Sequence, residues 1–248
     1  MRPNHDLLKI ATKYLGVVIG PRLRGTIDYF RFPERRDPWG GPFNGQYKRR
    51  ELFLSLIPAC RPAAIVETGT HVGASTEFMA EVSKLPVYSV EADARSFGFA
   101  KMRLRKHRKV QLFLGDSRIF LRNFIASDGA RYLGRPLLFY LDAHWGEDLP
   151  LSEELEIIFA SFSQAIVIID DFQVPYDSGY GYDDYGAGKT LSGEYIAPQV
   201  KRFQIVEFYP TTPSSVESSI RRGCVLLAQD PGIIDALSQV PLLRKWPT

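Results

Sequence analysis

The residues best suited to chemistry stand at the ends of short apolar runs. Asp142 closes the run Leu137–Asp142, with His144 two residues on, and Asp170 closes the run Ala165–Asp170, with Asp171 directly after it. Runs of this length, rich in β-branched and aromatic residues, read as strands, and neighbouring strands of a sheet lie ~5 Å apart. Three carboxylates crowded together there repel and raise one another's pKa unless a cation neutralises them. An all-oxygen set of Asp142, Asp170 and Asp171 suits Mg²⁺, Mn²⁺ or Ca²⁺ rather than zinc, and no Cys/His grouping offers a zinc site. The bland alternative is three separate strand-end acids that cap helices.

A second group surrounds the stretch Glu67-Thr68-Gly69-Thr70-His71-Val72-Gly73-Ala74-Ser75. Gly69 and Gly73 permit a tight turn and a close backbone approach, and a helix beginning at Ala74 aims its free N–H groups at any ligand there. The spacing is Gly-x-x-x-Gly, not the Gly-x-Gly-x-x-Gly of dinucleotide sites. Glu91 ends the next apolar run, about 20 residues beyond Gly69, the separation at which a carboxylate can accept from a ribose diol. Gly115-Asp116-Ser117 follows the third run; Asp116 is placed either to accept from an adenine amino group or to cap the helix starting at Ser117.

These groups need a scaffold that brings strand ends together. The apolar runs Ala63–Thr68, Val87–Glu91, Val110–Leu114, Leu137–Asp142 and Ala165–Asp170 alternate with helix-length segments Ala74–Lys84, Ala94–His107, Ser117–Ser127 and Leu151–Phe162. That rhythm predicts a parallel sheet with helices on both faces. Gln204–Tyr209 and Gly223–Ala228 also read as strands, but the polar gap between them is too short for a helical crossover, so they should pair antiparallel. The expectation is a seven-stranded, mostly parallel α/β sheet with a C-terminal antiparallel pair. Residues 1–45 read as an irregular N-terminal cap and 46–248 as the main domain, opening with a helix over Gln46–Ile57 that Pro58 closes.

Two further stretches stand out. Residues 173–192 carry Tyr176, Tyr180, Tyr182 and Tyr185 among glycines, the composition of a mobile lid. Residues 101–109 are strongly basic; Phe97, Ala100 and Leu104 are spaced to face inward, which leaves the charges on a solvated face. The chain has 248 residues, with 31 Lys+Arg against 28 Asp+Glu and two cysteines. This composition excludes wholesale disorder and a disulfide framework. The small charge excess gives no reason to expect a nucleic-acid partner. No apolar run reaches membrane-spanning length, and the default location is cytoplasmic.

The motif Glu-x-Gly-x-x-x-Gly-x-Ser, the acid ending strand two and the Gly-Asp-Ser after strand three together resemble the class I S-adenosylmethionine-dependent methyltransferases, over roughly Gln46 to Ala228. The resemblance implies a Rossmann-like sheet and S-adenosylmethionine as cofactor. Glu67, Gly69, Thr70, Gly73 and Ser75 would line its methionine and ribose end, Glu91 would hold the ribose, and Asp116 and Ser117 would lie near the adenine. Asp142, His144 and the Asp170-Asp171 pair resemble the metal-dependent O-methyltransferases, more closely the macrocin and novobiocin sugar type than the catechol type. That likeness implies Mg²⁺ on the three aspartates, His144 as the base, and a diol, sugar-bearing metabolite or glycan as acceptor. Homo-oligomerisation is compatible with it. The rival readings are a metal-independent methyltransferase, an oxidoreductase similar to the cephalosporin hydroxylases, and a non-enzymatic cofactor-binding partner.

Overall fold

The computed structural model describes residues 19–144 and 148–247. The first eighteen residues of the expected cap, and Trp145 and Gly146 beside His144, lie outside the described residues. The strands are β1 (Ile65–Thr68), β2 (Val87–Glu91), β3 (Val110–Leu114), β4 (Leu137–Leu141), β5 (Ala165–Asp170), β6 (Val206–Pro210), β7 (Cys224–Ala228) and β8 (Leu243–Lys245). The helices are α1 (Pro21–Arg31), α2 (Tyr47–Cys60), α3 (Ala74–Ser83), α4 (Ala94–Arg103), α5 (Ser117–Ala126), α6 (Leu151–Ser161), α7 (Gly193–Phe203) and α8 (Pro231–Ser238).

The strands form one sheet in the order β3-β2-β1-β4-β5-β7-β6-β8. The first five are parallel, β7 runs antiparallel to both β5 and β6, and β8 runs antiparallel to β6. The expected seven strands are therefore eight. The three-residue β8 is too short to show a periodic signal, and it covers the β6 edge that would otherwise expose unpaired backbone.

Side-chain alternation splits the core in two. Val66, Val90, Phe139, Val167 and Ile169 pack with Phe120 and Phe124 of α5, Leu155 and Ile158 of α6 and Ile196 of α7. Ile65, Val87, Leu138, Ile166 and Ile168 pack on the other face with Leu52 and Leu56 of α2, Met79 of α3 and Leu237 of α8. Helix starts follow local chemistry. Asp93, Asp116 and Asp230 each accept a backbone N–H from the first turn of α4, α5 and α8, an arrangement worth about 1 kcal/mol apiece.

Three local expectations are corrected. Pro58 sits inside the last turn of α2, which runs on to Cys60. The helix expected to reach His107 ends as α-helix at Arg103 and continues as a single 3₁₀ turn. The segment before α2 is more regular than its composition suggests, because α1 lies against α4 with almost no side chain between them. A Cβ on Gly25 would fall 1.8 Å from the Arg95 carbonyl oxygen, and one on Gly98 1.9 Å from that of Arg22. The inward residues of the basic stretch, Phe97, Ala100 and Leu104, are buried as expected.

Candidate functional site

Strand order reverses between β1 and β4, and a cleft of about 730 Å³ opens beyond the carboxyl ends of the strands at that point, where open α/β sheets bind ligands. Its walls include Gly69, Thr70, Ser75, Glu91, Asp116 and Ser117 at one end and Asp142, His144 and Asp171 at the other. Nine of the twelve residues singled out from the sequence thus face one space. Glu67, Gly73 and Asp170 do not.

At the β1–β3 end the backbone sets the shape. Gly69 has φ +85°, and a Cβ there would lie 2.1 Å from the Asp142 carbonyl oxygen, so only glycine lets β1 pass β4 this closely. Gly73, at φ +80°, caps α3 and faces Leu104 and Ala100; it is a helix-packing position rather than a ligand contact. Glu91 is oriented by two backbone donors, His71 N–H at 2.5 Å and Asp93 N–H at 2.8 Å. Burial raises its pKa, and those N–H groups oppose the rise. Asp116 performs the capping role: it accepts from the N–H groups of Arg118 and Ile119 and pairs with the Arg118 guanidinium at 2.6 Å. That pairing, more than the cap, keeps its pKa below the ordinary carboxylate range.

Glu67 lies beneath this end, 1 % exposed, accepting from the Thr76 and Ser89 hydroxyls. Burial pushes its pKa up to about 7 against the pull of those donors. Its part is to tie β1, β2 and α3 together from below. Glu154, fully buried at the start of α6, is likewise pushed up to about 7 by burial. Nothing in the sequence pattern distinguished it from the other acids of that helix.

At the β4–β5 end the register places Leu141 opposite Ile169, so Asp142 and Asp170 follow at the same level. Asp170 is nevertheless 1 % exposed and fully engaged: one carboxylate oxygen takes the Arg49 guanidinium from α2, the other the Tyr140 hydroxyl. Burial opposes its ionisation, but Arg49 and Tyr140 outweigh that and hold its pKa low. Asp171, at φ +51°, accepts from Nε of Arg222 at 2.7 Å, and Nη2 of the same arginine pairs with Asp183. Burial and the Asp170 charge push Asp171 up to about 7 against the pull of Arg222. Asp142 faces the cleft; enclosure there and the charges of Asp170 and Asp171 keep its pKa well above the ordinary range.

These partners decide the fit of a divalent ion. A hard cation needs several carboxylate oxygens turned to one point. Among the described residues, the one trio whose ligating atoms lie within 4.8 Å of one another is Glu77, Glu81 and His107, none of which lines the cleft. Asp142, Asp170 and Asp171 do not form such a set, and guanidinium groups already neutralise two of them. The donor set as folded does not fit the ion expected from the sequence.

His144 is 3 % exposed and lines the cleft, and among the described residues no side chain hydrogen-bonds to either ring nitrogen. Asp142 is 3.8 Å from its Nε2, too far for one. Burial lowers its pKa to about 4, so the imidazole is neutral at physiological pH.

The 173–192 segment is stitched down rather than loose. Tyr176 donates to the Pro210 carbonyl and stacks on Trp246, and Tyr180 donates to the Thr212 carbonyl. The Tyr185 hydroxyl reaches the His144 carbonyl at 2.5 Å and the Asp183 carboxylate at 2.6 Å. The sequence shows four tyrosines but not the carbonyls of Pro210, Thr212 and His144 that three of them reach, each more than 30 residues away.

Comparison with known proteins adds the fold. No protein-family model matches the sequence, and no curated protein matches it. Among solved structures, a protein assigned as an O-methyltransferase from Klebsiella pneumoniae superposes with a TM-score of 0.51 at 17% identity, covering 89% of this chain and 96% of that one. The chain has the methyltransferase fold. A cofactor-bound protein from MTB gives 0.51 at 16% identity over 92% and 99% of the two chains. A protein assigned as a caffeoyl-CoA O-methyltransferase from Staphylococcus aureus gives 0.51 at 16% identity over 73% and 82%. No helix among the described residues is long and apolar enough to cross a membrane.

Proposed function

We propose that this chain transfers the methyl group of S-adenosylmethionine to a hydroxyl oxygen of a small molecule carrying neighbouring hydroxyls, such as a diol or a sugar-bearing metabolite. One observation carries the reading: a buried, neutral imidazole with no side-chain partner among the described residues faces a cleft whose other end is furnished for a nucleoside. A buried polar group left without a partner costs about 1–3 kcal/mol, and an acceptor O–H supplies the missing partner.

Glu91, fixed by two backbone N–H groups, suits the ribose diol. The Gly69–Ser75 turn and the start of α3 suit the amino-acid end, and Gly115–Ser117 the base. S-adenosylmethionine supplies an electrophilic methyl on a sulfonium. His144 accepts the acceptor's proton as its oxygen bonds the methyl carbon and the sulfur–carbon bond breaks, the bonding pair staying on sulfur. Asp142, Asp171 and Asp183 give a hydroxyl-rich molecule several acceptor oxygens beside that histidine. Most of the rate then comes from alignment inside an enclosed cleft.

Tritium-labelled S-adenosylmethionine, with methyl glucoside and catechol as acceptors, tests the proposal. Label should appear in a methyl ether, and His144→Ala should reduce it more than about 100-fold while S-adenosylhomocysteine still binds. Absence of a labelled methyl ether from either acceptor, or binding of NADH in place of S-adenosylhomocysteine, would contradict it.

A further inference from the structure

We infer that Arg222 is the resident cation of the acceptor end, standing where a divalent ion was expected and excluding it. The inference rests on the methyl-transfer reading for its chemical purpose and on geometry for its placement. Arg222 lines the cleft together with Asp142, His144, Asp171 and Asp183. Nε points to Asp171 and Nη2 to Asp183, which leaves Nη1 without a hydrogen bond among the described residues. Its main chain is clamped as firmly as its side chain. The N–H donates to Gln46 Oε1, and the carbonyl accepts from Gln46 Nε2 at 2.9 Å and from Arg49 Nη2 at 2.7 Å.

Arg49 thereby links Asp170 to Arg222: one of its nitrogens neutralises the carboxylate and the other holds the Arg222 backbone carbonyl. Every acid expected to bind metal except Asp142 thus has a guanidinium partner. A guanidinium offers fixed donors in a plane and stays protonated at any working pH. Placed beside the reacting hydroxyl, it favours the negative charge that grows on oxygen as the proton leaves, without needing a metal site to be filled. The arrangement is also exclusive, because a cation approaching Asp171 must displace a charge already paired on two sides.

Mn²⁺ titration followed by its electron paramagnetic resonance signal tests this, in a His107→Ala background that removes the Glu77–Glu81–His107 group. The parent protein and Arg222→Lys should bind no stoichiometric Mn²⁺. Arg222→Met and Arg222→Gln leave Asp171 and Asp183 uncompensated beside Asp142 and should gain Mn²⁺ affinity by at least tenfold. With the acceptors above, turnover of the parent should be indifferent to EDTA, and Arg222→Met should lose most of it while S-adenosylhomocysteine affinity stays the same. One-to-one Mn²⁺ binding by the parent that Asp171→Asn abolishes would overturn the inference. So would neutral variants that gain nothing. Should S-adenosylhomocysteine fail to bind at all, the methyl-transfer reading falls while the Mn²⁺ result still decides the identity of the cation.

Discussion

At the β1–β3 end of the cleft the backbone does the shaping: a glycine that must be glycine, a carboxylate steered by two main-chain N–H groups, and a helix cap. At the β4–β5 end the shaping is done by paired charges drawn from distant parts of the chain, Arg49 with Asp170 and Arg222 with Asp171 and Asp183. The contrast teaches that a strand-end aspartate takes its role from what reaches it. Glu91 and Asp142 both face the cleft, whereas Asp170, at the same level of the sheet as Asp142, is a buried structural ion.

The sharpest way to break that contrast is Asp170→Asn. Removing one partner of a buried ion pair costs about 3–5 kcal/mol, because Arg49 of α2 is left buried and uncompensated. Chemical denaturation should show a loss of that size. A variant of normal stability that had lost only activity would return Asp170 to the reaction site.

Next in size is the acid beneath the cofactor end. The Glu67 pKa is raised to about 7 in the folded chain, so the unfolded chain releases its proton first as pH rises. Its stability contribution is intact below about pH 4.5 and is lost progressively up to about pH 7. The full loss is about 3 kcal/mol for a shift of this size. Glu67→Gln should flatten that part of the stability–pH curve. His144 works in the opposite direction: its lowered pKa means stability present above about pH 6.5 and lost as pH falls toward 4. A Glu67→Gln curve unchanged between pH 5 and 8 would refute the assignment.

Glu91→Gln probes ligand binding rather than folding. It keeps the size but loses the charged acceptor, so S-adenosylhomocysteine affinity should fall about 10–100-fold, the 1.5–3 kcal/mol of a charged hydrogen bond. The unfolding midpoint should move little. The smallest effect belongs to Tyr185→Phe. Losing the hydroxyl that reaches the His144 carbonyl and Asp183 should cost about 0.5–1.5 kcal/mol of stability, with a larger drop in turnover than in cofactor affinity. Equal drops in both would show that Tyr185 does not act through the acceptor end.

The same contrast explains what could be read from the sequence. The β/α alternation, the antiparallel pair at the C-terminus, and the cleft positions of Gly69, Thr70, Ser75, Glu91 and Asp116 depend on residues close together in the chain, so spacing exposes them. Asp142, Asp170 and Asp171 were legible as a strand-end group, but their partners were not. Arg49 belongs to α2 and Arg222 to the turn before β7, and neither carries a local mark that points to an aspartate across the sheet. Asp183 sat in view within the tyrosine-rich segment, and only the folded path of that segment carries it back to Arg222. The short β8 and the close α1–α4 contact escaped for the same reason, since pairing and contact across the fold define them more than any period does.

Calorimetric titration of S-adenosylhomocysteine into the intact chain, with Glu91→Gln and His144→Ala in parallel, bears most directly on the assignment of one end of the cleft to the cofactor and the other to the acceptor. One-to-one binding, weakened at least tenfold by Glu91→Gln and untouched by His144→Ala, is the result expected. Failure to bind, or affinity that drops with His144 and ignores Glu91, would contradict it.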